Sequence, residues 1–178
     1  MHPMVKPALR RCWRDRTSVQ FGIGPGRAAV LEGVDRETER VLTLLDGTRS
    51  LERVRAEAAR LGVEEGRVTR LLAVLREGGV LDDAKAAAPL QEMPRAAFER
   101  LRPDLASLSV VHPAPGAGAA RLAARRSAAV QVRGAGRVGA SVAALLAAAG
   151  VGTVEVADSG RVEPWDVSPS GIPAADIG

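Results

Sequence analysis

Apolar residues recur along this chain with three rhythms, and each rhythm predicts a different local structure. Near the N-terminus they come in short bursts. Leu9–Trp13, Val19–Ile23 and Ala28–Leu31 have the length and composition of strands, with Pro25-Gly26 as a turn between the last two. From Asp35 the rhythm becomes helical. Asp35 predicts an N-cap for a helix with Val41, Leu42, Leu44 and Leu45 on its apolar side, stopped by Asp46-Gly47. Ser50 caps a second helix carrying Leu51, Val54, Ala58 and Leu61, and Gly62 ends it. A third helix, over 64–77, brings Val68, Leu71, Leu72 and Leu75 together. Gly78-Gly79 ends that one, and Val80-Leu81 continues extended. Residues 1–83 therefore read as one small α+β unit.

Residues 84–118 predict a connector. Ala86–Ala88 and Pro89 read as flexible. Pro94–Arg102 reads as a helix with Pro103 just past its end. Leu105, Leu108, Val110 and Val111 could form a strand, and 113–118 (PAPGAG) a loop. Ala119–Arg126 then predicts a short basic helix.

The third rhythm begins at Ala128. An apolar run, Ala128–Val132, meets a glycine turn at Gly134, Gly136 and Gly139. A helix over Val138–Ala149 follows, with Gly150 at its C-terminal cap, then a strand over Thr153–Ala157 and Asp158. This is the first half of a nucleotide-binding βαβ unit. The first glycine permits the tight turn, the second lets backbone N–H groups approach a phosphate, and the third lets helix and strand pack closely. An acid about 20 residues past the last glycine can hold a ribose hydroxyl, which is where Asp158 stands. Asp158 could equally cap the loop that follows it. Two strands and one helix do not make a stable open sheet. Residues 119–178 therefore read as the start of a larger domain, completed by more chain or on a partner.

Composition narrows the classes. The chain has 178 residues, 46% of them hydrophobic, with 2% aromatic and no Tyr. Net charge is +4, and all basic residues but Lys6 and Lys85 are Arg. That charge reads either as a solvated Arg-rich surface or as attraction to an acidic partner. It is not gathered into a basic tail, which disfavours nucleic acid. Cys12 is the single cysteine, so no internal disulfide or CxxC zinc site is available, and a small apolar role in a strand suits it. The N-terminus has no signal sequence, and the apolar stretch 138–154 is too short to span a bilayer. A cytoplasmic location without membrane attachment follows as the expectation. His2 and His112 have no companion nucleophile, so no catalytic residue and no metal ligand is assigned. Trp165 could stack on a base or bury against a sheet.

The glycine turn, followed by Gly-Val-Gly-Thr after an Ala-rich helix, resembles the opening of the ThiF/E1 superfamily of ubiquitin-activating-like adenylyltransferases. Its pattern continues as D-x-D-x-V-x-x-x-N-x-x-R-Q and then D-I-G-x-x-K. Here Asp158 and Val162 match, and Asp176-Ile177-Gly178 matches D-I-G. The departures are Gly160 for the second acid, Asp166 for Asn and Pro169 for Arg. The resemblance implies ATP with Mg²⁺ at Gly134, Gly136, Gly139 and Asp158. The departures imply that adenylation, and with it ATP, is not retained, because Asp repels a triphosphate and Pro offers it no charge. Where the domain is complete, the family also implies a dimer.

Three helices beside a small sheet resemble a winged helix-turn-helix. The fold class expected is thus an α+β winged-helix N-terminal domain followed by the start of an α/β Rossmann-like domain. Within residues 1–83, Val41–Leu51 (VLTLLDGTRSL) and the two helices after it resemble a PqqD-like element that recognises the leader of a ribosomal peptide precursor. That resemblance implies strand addition between Arg27–Leu31 and the helix over 64–77. Ala28, Val30, Leu31, Arg67 and Arg70 would bind the peptide, with the two arginines favouring an acidic leader. Together the resemblances imply a leader-peptide-binding partner protein in azoline-type peptide modification. It would deliver the precursor to a cyclodehydratase or other modifying enzyme. Two alternatives stand beside it: an ATP-dependent adenylyltransferase acting on a carrier protein's C-terminus, and a winged-helix DNA-binding regulator using Arg67, Arg70 and Arg76. An NAD-dependent enzyme ranks last.

Overall fold

A computed structural model describes the chain from Met1 to Gly178 except Pro25 and Arg27, with Gln91 placed only by its backbone. The Pro25 half of the expected turn, and Arg27 at the start of the expected peptide groove, lie outside the described residues. The chain divides into two compact units, Met1–Arg121 and Leu122–Gly178.

In the first unit β2 (Arg11–Trp13), β3 (Val19–Phe21) and β4 (Ala29–Leu31) form an antiparallel meander in that order. The N-terminus adds what its hydrophobic pattern did not show. β1 (Pro3–Val5) pairs antiparallel with β5 (Leu81–Asp83). Three residues give no usable periodicity, and the partner strand is remote in sequence.

Helices α1 (Arg36–Leu44), α2 (Leu51–Arg60) and α3 (Glu65–Glu77) stand where the helical rhythm places them. Asp35 and Ser50 cap the first two, accepting from the backbone N–H groups of Thr38 and Arg53. Val41, Leu42, Val54, Val68, Leu71, Leu72 and Leu75 are buried with Val19 and Phe21 in one core. Leu61 departs from expectation. It follows the last turn of α2 and is exposed.

Asp35 and Asp46 hold unusually acidic carboxyls, each down to about 2. For Asp35 the main cause is the Thr38 N–H; for Asp46 it is the Thr48 hydroxyl. Both folded-state values lie below the ordinary 3.8, so their stabilisation is complete above 3.8 and is lost as pH falls through about 2. The thermal midpoint should drop across that window. Asp35→Asn should flatten the drop in a melt-versus-pH series.

The region 84–118 is more ordered than a connector. A 3₁₀ turn (Ala84–Ala87) and α4 (Ala88–Gln91) occupy the stretch expected to be flexible. α5 (Arg95–Val111) then runs straight through Pro103. The expected strand over 105–111 is therefore helix. Proline lacks an N–H for the carbonyl four residues back and costs about 3 kcal/mol in a helix interior. Burial of Leu101 and Ser109 on either side of Pro103 offsets that cost. α6 (Ala117–Arg126) starts earlier than expected, inside the PAPGAG stretch. Gly118 permits it, since a Cβ there would lie 2.7 Å from the Ser109 nitrogen.

Lys6 ties the start of the first unit to the end of α5. Its ammonium is buried and donates to the Ser109 and Pro113 carbonyls at 2.7 and 2.8 Å. Burial lowers its pKa, and the Asp82 charge opposes that shift.

The second unit has the expected topology. β6 (Ala129–Arg133) and β7 (Thr153–Ala157) pair in parallel, Val130 opposite Val154 and Val132 opposite Val156, and α7 (Arg137–Ala148) makes the crossover. Two 3₁₀ turns, Pro164–Asp166 and Ala174–Asp176, follow. No helix among the described residues is long and apolar enough to cross a membrane.

Candidate functional site

The glycine turn joins β6 to α7, and each glycine has a separate steric reason. Gly134 takes φ +97°, a conformation that strains any side chain. Gly136 is the N-cap of α7, and no side chain caps that helix. Gly139 lies against the turn itself: a Cβ there would sit 1.8 Å from the Gly134 carbonyl oxygen. Gly150, at φ +83°, closes the far end of α7.

Asp158 reaches back into this turn. Its carboxylate accepts from the Ala135 N–H at 2.5 Å and from the Gly160 N–H at 2.7 Å. Those two bonds hold its pKa below the ordinary value. Asp158 caps its own loop, and it stands at the mouth of the turn. Val162 and the Asp176-Ile177-Gly178 motif are also brought together, the Gly178 N–H donating to the Val162 carbonyl at 2.9 Å.

The residues around the turn do not fit a triphosphate with its metal. Asp166 Oδ1 would lie 3.1 Å from a Cβ on Gly136, so a carboxylate stands beside the N-cap of α7, where it would repel a phosphate. Pro169 is exposed and carries no charge. Among the described residues no three His, Cys, Asp or Glu side chains gather to hold a metal ion. Trp165 is exposed and not buried against the sheet.

A second candidate surface lies in the first unit, at β4. Backbone pairs Arg10–Gly22 and Arg14–Ser18 bond across β2 and β3, which turns the Gln20 amide toward β2. Gln20 sits opposite Val30, so Val30 points its own N–H and C=O away from β3. β4 has no strand on that side among the described residues. Ala29 and Leu31 pack against the core, whereas Ala28 and Val30 are exposed. Leu31 therefore faces the core with its side chain and β3 with its backbone.

α3 lies beside this edge. A Cβ on Gly78, just past the helix, would meet the Ala29 side chain at 3.3 Å. Arg70, Val74 and Gly78 follow at four-residue steps, so they share one face. Arg70 and Val74 are exposed. Arg67 is committed elsewhere. Its guanidinium pairs with Asp35 and with Glu37, the latter at 2.9 Å, and donates to the Thr38 hydroxyl at 3.2 Å. This clamp ties α3 to the first turn of α1, and it was not visible in the spacing of the residues. Arg67→Glu would put a third carboxylate beside Asp35 and Glu37. It should lower stability by about 1 kcal/mol in denaturant melts, whereas Arg70→Glu should leave stability unchanged.

Residues 112–178 match the ThiF family. Solved structures share the fold of the whole chain. E. coli MccB with AMPCPP and MccA superposes with a TM-score of 0.65 at 16% identity, over 100% of this chain and 48% of that one. E. coli MccB with ATP gives 0.63 at 16% identity, over 100% and 49%. PaaA gives 0.66 at 20% identity, over 97% and 51%. The chain thus spans about half the length of these structures. No curated protein matches it.

Proposed function

We propose that this protein is a peptide-binding partner in the modification of a ribosomally made peptide. It holds the precursor's leader as an added strand on β4 and delivers it to a separate modifying enzyme such as a cyclodehydratase. The observation that carries this reading is the open edge at Val30, whose N–H and C=O face no strand among the described residues, beside the exposed Arg70 and Val74. An extended peptide satisfies such an edge through its main chain, while its side chains fix the register. Arg70, unlike Arg67, makes no ion pair among the described residues and offers its charge to an acidic residue. The likeness to MccB, solved with MccA, supports a bound polypeptide. The glycine turn is then an inherited nucleotide-fold feature and carries no adenylation step.

The test is fluorescence anisotropy of a labelled leader peptide, encoded beside this chain's gene, with the full chain. Micromolar binding is expected. Val30→Pro should abolish it without loosening the sheet, because the N–H it removes makes no bond to β3. Arg70→Glu should weaken binding of an acidic leader severalfold. Lack of binding to every neighbouring precursor would sink the reading.

The adenylyltransferase alternative is favoured by the intact Gly134, Gly136 and Gly139 geometry and by the likeness to MccB solved with ATP. ATP–pyrophosphate exchange catalysed by the chain would establish it.

A further inference from the structure

The sheet of the first unit has a second open edge, on the side away from β4. The bonds that join Arg10 to Gly22 and Arg14 to Ser18 place Cys12, midway between them, in a pair that bonds to Gln20. Arg11 and Trp13 alternate with those residues, so their N–H and C=O groups point away from β3. β2 is an end strand of its sheet, and nothing among the described residues bonds to these main-chain groups. β4 turns Val30 outward in this way; β2 turns out both Arg11 and Trp13.

The side chains along this edge carry one sign of charge. Arg10, Arg11, Arg14 and Arg16 are exposed, and none forms an ion pair among the described residues. The carboxylate between them, Asp15, turns in on Thr17, accepting its N–H at 2.8 Å and its hydroxyl at 3.2 Å. Arg10 and Arg14 share a face with Cys12 and flank it. Arg11 and Trp13 lie on the other face, opposite Phe21 and Val19, and Trp13 is 43% exposed. Such an edge rejects a second copy of itself, because two β2 strands side by side would set arginine against arginine. It suits a strand that alternates acidic with apolar residues. An acid facing Cys12 would sit between Arg10 and Arg14, and an apolar neighbour would cover the Trp13 indole.

We propose that the β2 edge is the docking site of the modifying enzyme, which adds to it an extended segment of alternating acidic and apolar residues. This assignment rests on the reading of β4 as the leader's edge. β2 and β4 lie on opposite sides of β3, so a precursor held on one leaves the other open. Main-chain bonds to Arg11 and Trp13 supply affinity, and the arginines supply selection and speed of encounter.

The first test uses the full chain carrying Trp165→Phe, in which Trp13 is the remaining indole and reports on the edge directly. An octapeptide of alternating Val and Glu should shift Trp13 emission to the blue. Its counterpart of alternating Val and Lys should bind about tenfold more weakly or worse. Added salt should narrow that difference. Arg11→Pro removes an N–H that makes no bond to β3, so it should abolish binding of the acidic octapeptide without lowering the melting temperature. Arg11→Gln, which keeps that N–H, should weaken binding only severalfold. Arg10→Glu combined with Arg14→Glu leaves the backbone intact and should reverse the preference between the two octapeptides. Val30→Pro, which blocks β4, should change nothing. The second test measures the affinity of the purified modifying enzyme encoded beside this chain's gene. It should be lost in Arg11→Pro and in the double glutamate variant and kept in Val30→Pro. Equal affinity for the two octapeptides would overturn the proposal. So would loss of the acidic octapeptide in Val30→Pro, its displacement by the leader peptide, or enzyme binding that survives Arg11→Pro. Leader anisotropy is measured separately and should be unaffected by Arg11→Pro, so failure at β2 and failure at β4 are distinguishable.

Discussion

Gly139→Ala is expected to unfold the second unit while the first stays folded. The added methyl would lie 1.8 Å from the Gly134 carbonyl oxygen and 2.9 Å from its carbon. Both are backbone atoms, so no rotamer change relieves the overlap. Either the turn opens or α7 lifts from β6. Overpacking of this kind costs about 3 kcal/mol when a core can adjust, and more against rigid backbone. The second unit has little to offset such a loss. Val138, Leu145 and Val156 are exposed, and Ala143 is a rare buried apolar residue within α7. Limited proteolysis should cut the variant after Arg133 and Arg137 and spare the first unit. Gly24→Ala is the matched control, because a Cβ at Gly24 meets nothing within 4 Å. Retention of protease resistance in Gly139→Ala would show that the turn is looser than its geometry.

Lys6→Met should cost the first unit about 3 kcal/mol in urea unfolding. Methionine fills the volume but strands the buried Ser109 carbonyl and the Pro113 carbonyl without a donor, and each lost bond to a charged group is worth about 1.5–3 kcal/mol. The positive charge also lies at the C-terminal end of α5, where the helix dipole favours it. The pH dependence has a definite sign. The folded-state pKa lies below 10.5, so between the two values the unfolded chain binds more protons. The stability of the unaltered protein should therefore rise with pH as it approaches 10.5, and Lys6→Met should lack that rise. Lys85 is the single other lysine, and the chain has no Tyr, so little else titrates in that window.

How much of this was legible in the chain depends on the range of the interaction. α1, α2 and α3 were, because caps and helical spacing are local and one core holds Val41, Val54, Val68 and Leu75. The strand–turn–helix–strand order of the second unit was legible for the same reason. Pro103 misled, because a proline stop is a local rule and the burial that overrides it is tertiary. β1, the Lys6 bridge and the Arg67 clamp were hidden because their partners lie far along the chain. At the candidate site the conflict between Asp166 and a phosphate could be read from residue type. The approach of that carboxylate to Gly136 could not, since it depends on how residues 163–166 fold back on the start of α7.

With no Tyr and two tryptophans, the chain carries one indole in each unit: Trp13 on β2 and Trp165 in the 3₁₀ turn beside Asp166. Both are exposed, so both should emit at the red end of the indole range. Trp13→Phe would leave a single native fluorophore adjoining Asp166, the carboxylate beside Gly136. Its emission colour and quenching by iodide would then follow displacement of that 3₁₀ turn directly, without any attached dye.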